Sequence, residues 1–425
     1  MVSVLEPSQQ VRSAPVLSPP LPLFMPRTAL RAEGRLAPGL SWGGKAEVEY
    51  LSVTPGYRPF GSNTGASALE PELSLGLALR PNPYLQGFMA VKLLGEFTSL
   101  PQEPDQHETG VELTEAFLLY KPLWDERLVV QIGRQTFSDA REWLYDDELD
   151  AVRLFYRCSQ GTLELAASRG GLLHKDILRR QATEQQYTYL IHPTYAPHPS
   201  LHLAAYLLWR QDYTSARDRS VFLGLRASGR LRDDLTYWLE AAHVRGQDGG
   251  QHLRGFGVDL GATYTLPLPL TPAVTLGWAF GTGDGEADDA TDSSFRQTGL
   301  HGNKGKFTGV SGFQYYGEVL DPELSNLLIW TAGFGIRPSR RSSLDLVYHD
   351  YYQHQAATDL REARLPAVLN GRHTHVGREI DLVLGVRDFV PLEITLVLGY
   401  FAPGKAWDSA ASGSVFVRAN LEVTF

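Results

Sequence analysis

One pattern governs this chain from residue 43 to its end. Apolar side chains alternate with polar or small ones over segments of about nine to twelve residues, and turn-forming residues part the segments. In 72–80, Leu73, Leu75, Leu77 and Leu79 share one face, and Ser74, Gly76, Ala78 and Arg80 share the other. In 378–387, Ile380, Leu382, Leu384 and Val386 alternate with Glu379, Asp381 and Arg387. The last segment sets Val415, Val417, Ala419, Leu421, Val423 and Phe425 against Phe416, Arg418, Asn420, Glu422 and Thr424. Eighteen such segments lie near 43–53, 72–80, 84–98, 113–121, 127–134, 150–157, 162–169, 185–195, 200–211, 219–228, 233–245, 254–266, 271–280, 327–337, 342–350, 376–387, 391–401 and 413–425. A period of two belongs to strands with unlike faces, so the pattern predicts an all-β chain.

The connections narrow the choice. Long ones (54–71, 99–112, 135–149, 170–184, 281–326, 351–375, 402–412) sit between short ones (81–83, 122–126, 158–161, 196–199, 338–341, 388–390), and 212–218 and 246–253 are of moderate length. Short periplasmic turns, long external loops and an even strand number describe a transmembrane β-barrel. A sandwich rarely reaches eighteen strands in one domain, and a propeller would repeat every ~40–50 residues, which this chain does not do. Aromatic residues gather near segment ends, among them Tyr50, Tyr120, Trp143, Tyr195, Trp209, Tyr264, Trp278, Tyr348, Tyr351, Tyr400 and Phe425, as interfacial girdles require. No 18 consecutive residues are apolar, so a spanning helix is excluded.

In hydrocarbon every backbone N–H and C=O must be paired, so strands survive there only in a closed ring. The expectation is an 18-stranded antiparallel transmembrane barrel over 41–425 in the bacterial outer membrane, behind a flexible Pro-rich leader at 1–40. Pro interrupts the apolar stretches of that leader, so it does not read as a secretory signal; the signal is expected outside the given sequence. Eighteen strands spaced about 4.8 Å and tilted about 40° give a backbone diameter of about 35 Å, too wide for side chains alone to fill. The net charge of −9 disfavours nucleic-acid binding, and the single Cys158 excludes an intramolecular disulfide or a Cys-based zinc site.

Parity assigns charges to the lumen. The cations are Arg80, Lys92, Arg153, Arg157, Arg210, Arg226, Arg337, Arg387 and Arg418. The acids are Glu47, Glu49, Glu96, Glu115, Glu164, Glu240, Asp259, Asp345, Glu379, Asp381, Glu393 and Glu422. This balance predicts no uniformly positive pore; rings of one sign at a constriction would set selectivity. The same charges also suit salt bridges that only stiffen the wall. Arg418 is expected near mid-barrel, and Arg80, Arg337 and Arg387 near the periplasmic rim. Arg134 breaks the pattern by sharing the parity of Leu128, Val130 and Ile132. Either Gly133 marks a bulge that re-aims it, or the strand ends and Arg134 begins an inward loop. The stretch 138–150, with Arg141, Glu142, Asp146, Asp147 and Glu148, is a candidate to fold inward and narrow the lumen.

Enzymatic motifs are missing. There is no H-E-x-x-H, no G-x-S-x-G and no P-loop, and the glycines of 255–261 sit inside an alternating strand. The acidic stretch 281–292 lacks the closing Glu of a calcium loop, and His373 and His375 have no clear third ligand. No catalytic residue, cofactor or metal is expected.

The segment FRQTGLHGNKGKFTGVSGFQYYGEVLDPELSNL (295–327) resembles the long loop of bacterial alginate-export outer-membrane proteins. Four further stretches agree in order: LRP at 79–81, GRQ at 133–135, GREIDLVLG at 377–385 and FAPGKAW at 401–407. The resemblance implies a monomeric eighteen-stranded channel through which an anionic exopolysaccharide leaves the periplasm, with lumen arginines attracting uronate carboxylates. It implies no enzyme activity and no cofactor; the partners are the polysaccharide, outer-membrane lipids and a periplasmic scaffold lipoprotein. Arg80, Glu115, Arg134, Glu379 and Arg418 fall on or near the family's pore positions. The chain also departs from the family. The long periplasmic connection that plugs the family's exporter is only 388–390 here. Thr114, Thr395, Val397, Gln314, Tyr315 and Tyr316 stand where arginine or histidine is expected. The leading expectation is a passive export channel for an alginate-like polyuronate. The alternative is a general or anion-preferring porin for small carboxylates or oligosaccharides.

Overall fold

The structure, a computed structural model, describes residues 34–54, 65–99, 104–122, 124–125, 127–178, 185–213, 218–285, 289–365, 368–408 and 411–425. The expected leader therefore lies largely outside the described residues. A short strand, β1 (Gly34–Ala37), folds back on β2 (Leu40–Thr54). Then follow β3 (Ala66–Asn82), β4 (Leu85–Ser99), β5 (Gln106–Tyr120), β6 (Leu128–Ser138), β7 (Asp146–Arg157) and β8 (Gly161–Arg169). Next come β9 (Gln186–His198), β10 (Leu201–Asp212), β11 (Arg219–Arg232), β12 (Leu235–Asp248), β13 (Gln251–Thr265) and β14 (Ala273–Gly281). The two-residue strands β15 (Thr291–Asp292), β16 (Lys304–Gly305) and β17 (Phe313–Gln314) interrupt the next loop. The chain ends with β18 (Leu327–Ser339), β19 (Ser342–Gln353), β20 (His375–Val386), β21 (Leu392–Pro403) and β22 (Ser414–Thr424).

Each long strand pairs antiparallel with its neighbour in the chain, β14 pairs with β18, and β22 returns to β2 from Lys45↔Thr424 to Thr54↔Val415. Eighteen long strands thus close into a ring, as the alternation predicts. The observed strands run further outward than expected, most clearly β3 and β5. There the alternation continues with Glu70 and Glu112 on the inner face, and a count of apolar residues stops too early. The C-terminus is pinned at the closure. Gly44 and Phe425 exchange two backbone hydrogen bonds of 2.8 and 2.9 Å, and the Phe425 ring covers the space a side chain on Gly44 would need.

The two faces differ as expected. On β3, Leu75 and Leu77 are 46% and 42% exposed while Ser74 and Ala78 are buried. Tyr50, Tyr120, Tyr195, Trp209, Tyr264, Tyr400 and Phe425 are exposed on the lipid side. Trp143 and Tyr351, expected in the girdles, are instead buried inside the barrel. Trp143 lies on an inward loop, and Tyr351 has the lumen parity of β19.

The hydrophobic core is inside the ring, because loops fill it. Residues 139–145, 282–326 and 354–374 supply Trp143, Leu144, Phe295, Phe313, Leu320, Leu324, Leu365 and Leu369 to one cluster with inward side chains of the wall. A lumen this wide would otherwise hold water.

The wall is broken beside β6. Pairing of β5 with β6 stops at Ala116↔Arg134, and pairing of β7 with β8 stops at Ala151↔Ser168, although β6 and β7 stay paired to Ser138↔Asp146. The upper part of this hairpin therefore leaves the wall and folds inward. Gly133 is the hinge: its φ is +124°, and a Cβ there would collide with the Ala116 carbonyl. The edge of β5 that it vacates is taken by the loop after β8. Leu113 N donates to Lys175 O at 2.9 Å, and Ile177 N donates to Val111 O at 2.8 Å.

Candidate transport site in the lumen

The inward hairpin reaches the opposite wall. Arg141 pairs with Asp259 of β13 at 2.7 Å and lies over the Trp238 and Tyr315 rings. Trp143 Nε1 donates to Tyr316 OH at 2.9 Å, and Tyr316 OH donates to Asp259 at 3.0 Å. Arg226 Nε pairs with Glu240 at 2.7 Å, and the same guanidinium reaches Asp139 of the hairpin tip at 2.9 Å. Two expected lumen residues, Arg226 and Asp259, thus serve as sockets for the hairpin.

The 282–326 loop is seated on strand glycines. Phe295 fills the space over Gly255 and Gly257, Phe307 that over Gly333, and Val319 that over Gly399. Glu379 accepts from Val319 N at 2.6 Å, Leu320 N at 3.0 Å and Tyr351 OH at 3.1 Å. Asp381 accepts from Glu318 N at 3.3 Å. Arg418 donates to Glu318 at 2.7 Å. Arg361 of the third inward loop pairs with Glu323 at 2.6 Å. Burial pushes the Glu323 carboxyl up to about 7 despite Arg361, and burial with the nearby Arg210 and Arg361 brings His301 down to about 4. Burial, then Asp146 beside it, raises Glu142 to about 7.

The remaining sequence candidates divide by position. Arg153 is buried against Glu164, 2.7 Å from its Nε, with its guanidinium over Phe137. Glu115 accepts from Thr136 at 3.0 Å. Arg210 donates to Thr298 O at 2.7 Å and so also holds the long loop. Lys92 pairs with Glu72 at 3.1 Å and Glu112 at 3.6 Å on a half-buried wall. Arg80 is exposed, while Arg157 and Arg337 are half-buried close to periplasmic turns. Arg387 pairs with Glu393 at 2.9 Å near the same rim. Arg134 keeps the outward parity of its strand, and the strand does not end there. It is 5% exposed, held between Asp150 of the hairpin and Leu173 of the segment after β8. The inward course of the hairpin, rather than a local bulge in its register with β7, accounts for this placement.

A cavity of about 520 Å³ lies below the plug in the periplasmic half. Its basic lining is Lys304, Lys306, Arg387 and Arg418. Glu47, Glu49, Glu393 and Glu422 are among the acids across from them. Lys304 and Lys306 are exposed to the cavity; the wall around the Lys306 ammonium strips part of its hydration and, with Arg387 next in importance, lowers its pKa. Strand parity cannot find these two lysines, since they sit on a loop; the NKGK of 303–306 was the available signal. The inner face of β2–β5 is the least covered part of the wall. Glu47, Glu49, Glu70, Glu72 and Glu112 are half-buried there, and Glu96 and Glu108 are exposed. Arg210, Arg226 and Arg418 of the wall therefore act as anchors for loops, and two of the four cations facing the cavity, Lys304 and Lys306, come from the loop itself.

Comparison with known proteins agrees with this architecture. The chain is 30% identical over 187 residues to the alginate production protein AlgE of Pseudomonas aeruginosa, covering 38% of this chain and 37% of that protein. It is 28% identical over 138 residues to the protein of the same name from Azotobacter vinelandii, covering 30% and 28%. The chain thus spans little more than a third of the length of the first relative. Among solved structures, the outer membrane protein OprD of P. aeruginosa superposes with a TM-score of 0.55 at 11% identity, covering 93% of this chain and 96% of that one. OccK5 (OpdH) of the same organism gives 0.58 at 11% identity, covering 90% and 98%. These likenesses show the fold, and the chain is an outer-membrane barrel. The profile that describes alginate export matches residues 71–418, from β3 through the plug to Arg418 of the last strand, and the chain accordingly belongs to the alginate export family.

Proposed function

We propose that this protein is a passive outer-membrane channel that exports an anionic exopolysaccharide of the alginate-like polyuronate class. The observation that carries the reading is the cavity of about 520 Å³ at the periplasmic side, where exposed Lys304 and Lys306 stand with Arg387 and Arg418. Carboxylates of a polyuronate would meet ammonium and guanidinium groups at the level where the polymer enters. The interspersed Glu47, Glu49, Glu393 and Glu422 keep any one contact weak enough to release. The named relatives support the same cargo, as alginate production proteins. Transport in this reading involves no cofactor and no catalysis. Polymer synthesis and a periplasmic scaffold lipoprotein supply direction, and outer-membrane lipids surround the exposed leucine face. Among the other candidates, Lys92, Arg153 and Arg226 are ion-paired with carboxylates of the wall or hairpin, and Arg80, Arg157, Arg210 and Arg337 add their charge to the lumen field.

One observation favours the porin alternative. The least covered wall, β2–β5, is acidic, and the periplasmic connection 387–391 is a short turn. Small solutes could use that side.

Deletion of the gene, with complementation by wild type or by Lys304→Glu/Lys306→Glu, separates the readings. Loss of secreted uronic acid polymer, restored by wild type alone, is expected. Unchanged polymer secretion in the deletion strain overturns export and leaves the porin.

A further inference from the structure

We infer that Glu318 is a built-in stand-in for a substrate carboxylate, occupying Arg418 until the polymer displaces it. The inference rests on the export reading and assigns one recognition contact within it. Arg418 is the arginine of β22 that both lines the periplasmic cavity and contacts the plug. Its terminal nitrogen donates to Glu318 Oε1 at 2.7 Å, whereas its Nε has no partner among the described residues. Glu318 is fully buried and comes from the loop side; its Oε1 also accepts from Gln314 N at 3.2 Å, and its Oε2 has no partner among the described residues. A guanidinium presents a fork that suits two oxygens of one carboxylate. Here a single oxygen is used and donors are left over. The pair is therefore formed but incompletely satisfied, at the boundary between plug and cavity.

The backbone of the stand-in is fixed independently of its side chain. Glu318 N bonds Asp381, Val319 N and Leu320 N bond Glu379, and Glu318 O accepts from Arg364 at 2.7 Å. The carboxylate can consequently turn away without unseating the loop. A uronate arriving from the cavity offers both oxygens to Arg418, and neighbouring Asn420 and Thr395 offer groups to its hydroxyls. In the empty channel, Glu318 cancels the Arg418 charge, so small anions are not drawn to this level.

Two measurements on the purified full-length channel in planar bilayers test this. The first is the chloride-to-potassium permeability ratio, which needs no sugar. The second is current block by a uronic acid tetramer, with a neutral glucose tetramer as control. Glu318→Gln frees the Arg418 charge while keeping the side-chain size. It should raise the chloride preference and lower the blocking concentration of the uronate about tenfold, as expected for a charge-assisted contact. Glu318→Gln/Arg418→Gln should lose both gains. Glu318→Asp, which retracts the carboxylate, should move part of the way and serves if the Gln variant assembles poorly. Glu318→Gln with unaltered permeability ratio and unaltered block overturns the inference. A raised chloride preference with no uronate block in any variant overturns the export reading and the stand-in role together, leaving the ion pair as a determinant of anion preference alone. Wild-type block by uronate with no change in Glu318→Gln preserves the export reading and overturns the inference alone.

Discussion

Arg134 and Asp150 form a bidentate ion pair, 2.8 and 3.0 Å long, on the face of the β6–β7 hairpin that turns away from the lumen. Between them they grip Leu173, whose N–H reaches Asp150 at 2.7 Å and whose carbonyl accepts from Arg134. Arg134 also donates to Leu113 O at 3.1 Å. One buried pair thus ties the departing hairpin, the replacement segment and the vacated edge of β5. Removing a single partner leaves a buried charge unmatched, at a cost of about 3–5 kcal/mol. Asp150→Asn should lower the urea midpoint of the detergent-solubilised barrel and raise background ion leakage, whereas Arg80→Gln should change neither. Equal urea midpoints for Asp150→Asn and wild type would refute the staple.

Gly133 sets the departure of the hairpin. Its φ of +124° and its closeness to Ala116 O exclude a side chain. Gly133→Val should prevent native assembly, read as loss of the compact, heat-modifiable band on cold electrophoresis. Gly110→Ala, where a Cβ meets only Leu94 atoms at 3.4 Å or more, should assemble normally.

Trp143 is the keystone of the hairpin tip. It is 1% exposed, stacks on Phe295 at 5.9 Å and donates to Tyr316. Trp143→Ala should destabilise the filled lumen by about 3–5 kcal/mol. Since the ring is held by loops, the expected signature is a noisier, larger single-channel conductance in an intact barrel. Conductance and noise equal to wild type would show that the tip does not obstruct ions.

The plug should be firmest in mildly acidic solution. Glu142 and Glu323, raised to about 7 from 4.5, contribute stability that is complete below 4.5 and lost as pH rises through 7. His301, lowered to about 4 from 6.5, contributes stability that is present above 6.5 and lost as pH falls through 4. Between pH 4.5 and 6.5 the two carboxyls lose more than His301 gains, so protease resistance of the loops should peak near pH 4.5 and fall toward pH 8. Glu323→Gln should flatten the fall toward pH 8. A wild-type resistance that rises steadily from pH 5 to pH 8 would contradict this assignment.

The ring itself was legible in the sequence because lipid imposes a strict rule on every second residue. All eighteen strands answer to alternating segments. Parity also places Glu379, Asp381 and Arg418 on the inner face, where the structure has them. What alternation does not carry is the content of the lumen. Loops obey no period, so nothing local announces that 282–326 turns inward or that Phe295 meets Gly257. Arg134 shows the limit most clearly. Its parity is plain in the sequence, but its surroundings depend on a segment some forty residues later. The lysines at 304 and 306 escape alternation for the same reason, as charges on a connection have no assigned face.

The glycine seats beneath Phe295, Phe307 and Val319 bear on engineering. The loop and the staves that carry it are matched as die and casting. A porin of equal girth but with ordinary side chains at those places could not receive this insert. Conversely, trimming the insert from this protein would leave bald notches along the inner surface of β13, β18 and β21. Exchange of cargo between related channels would thus have to move wall and loop as one unit.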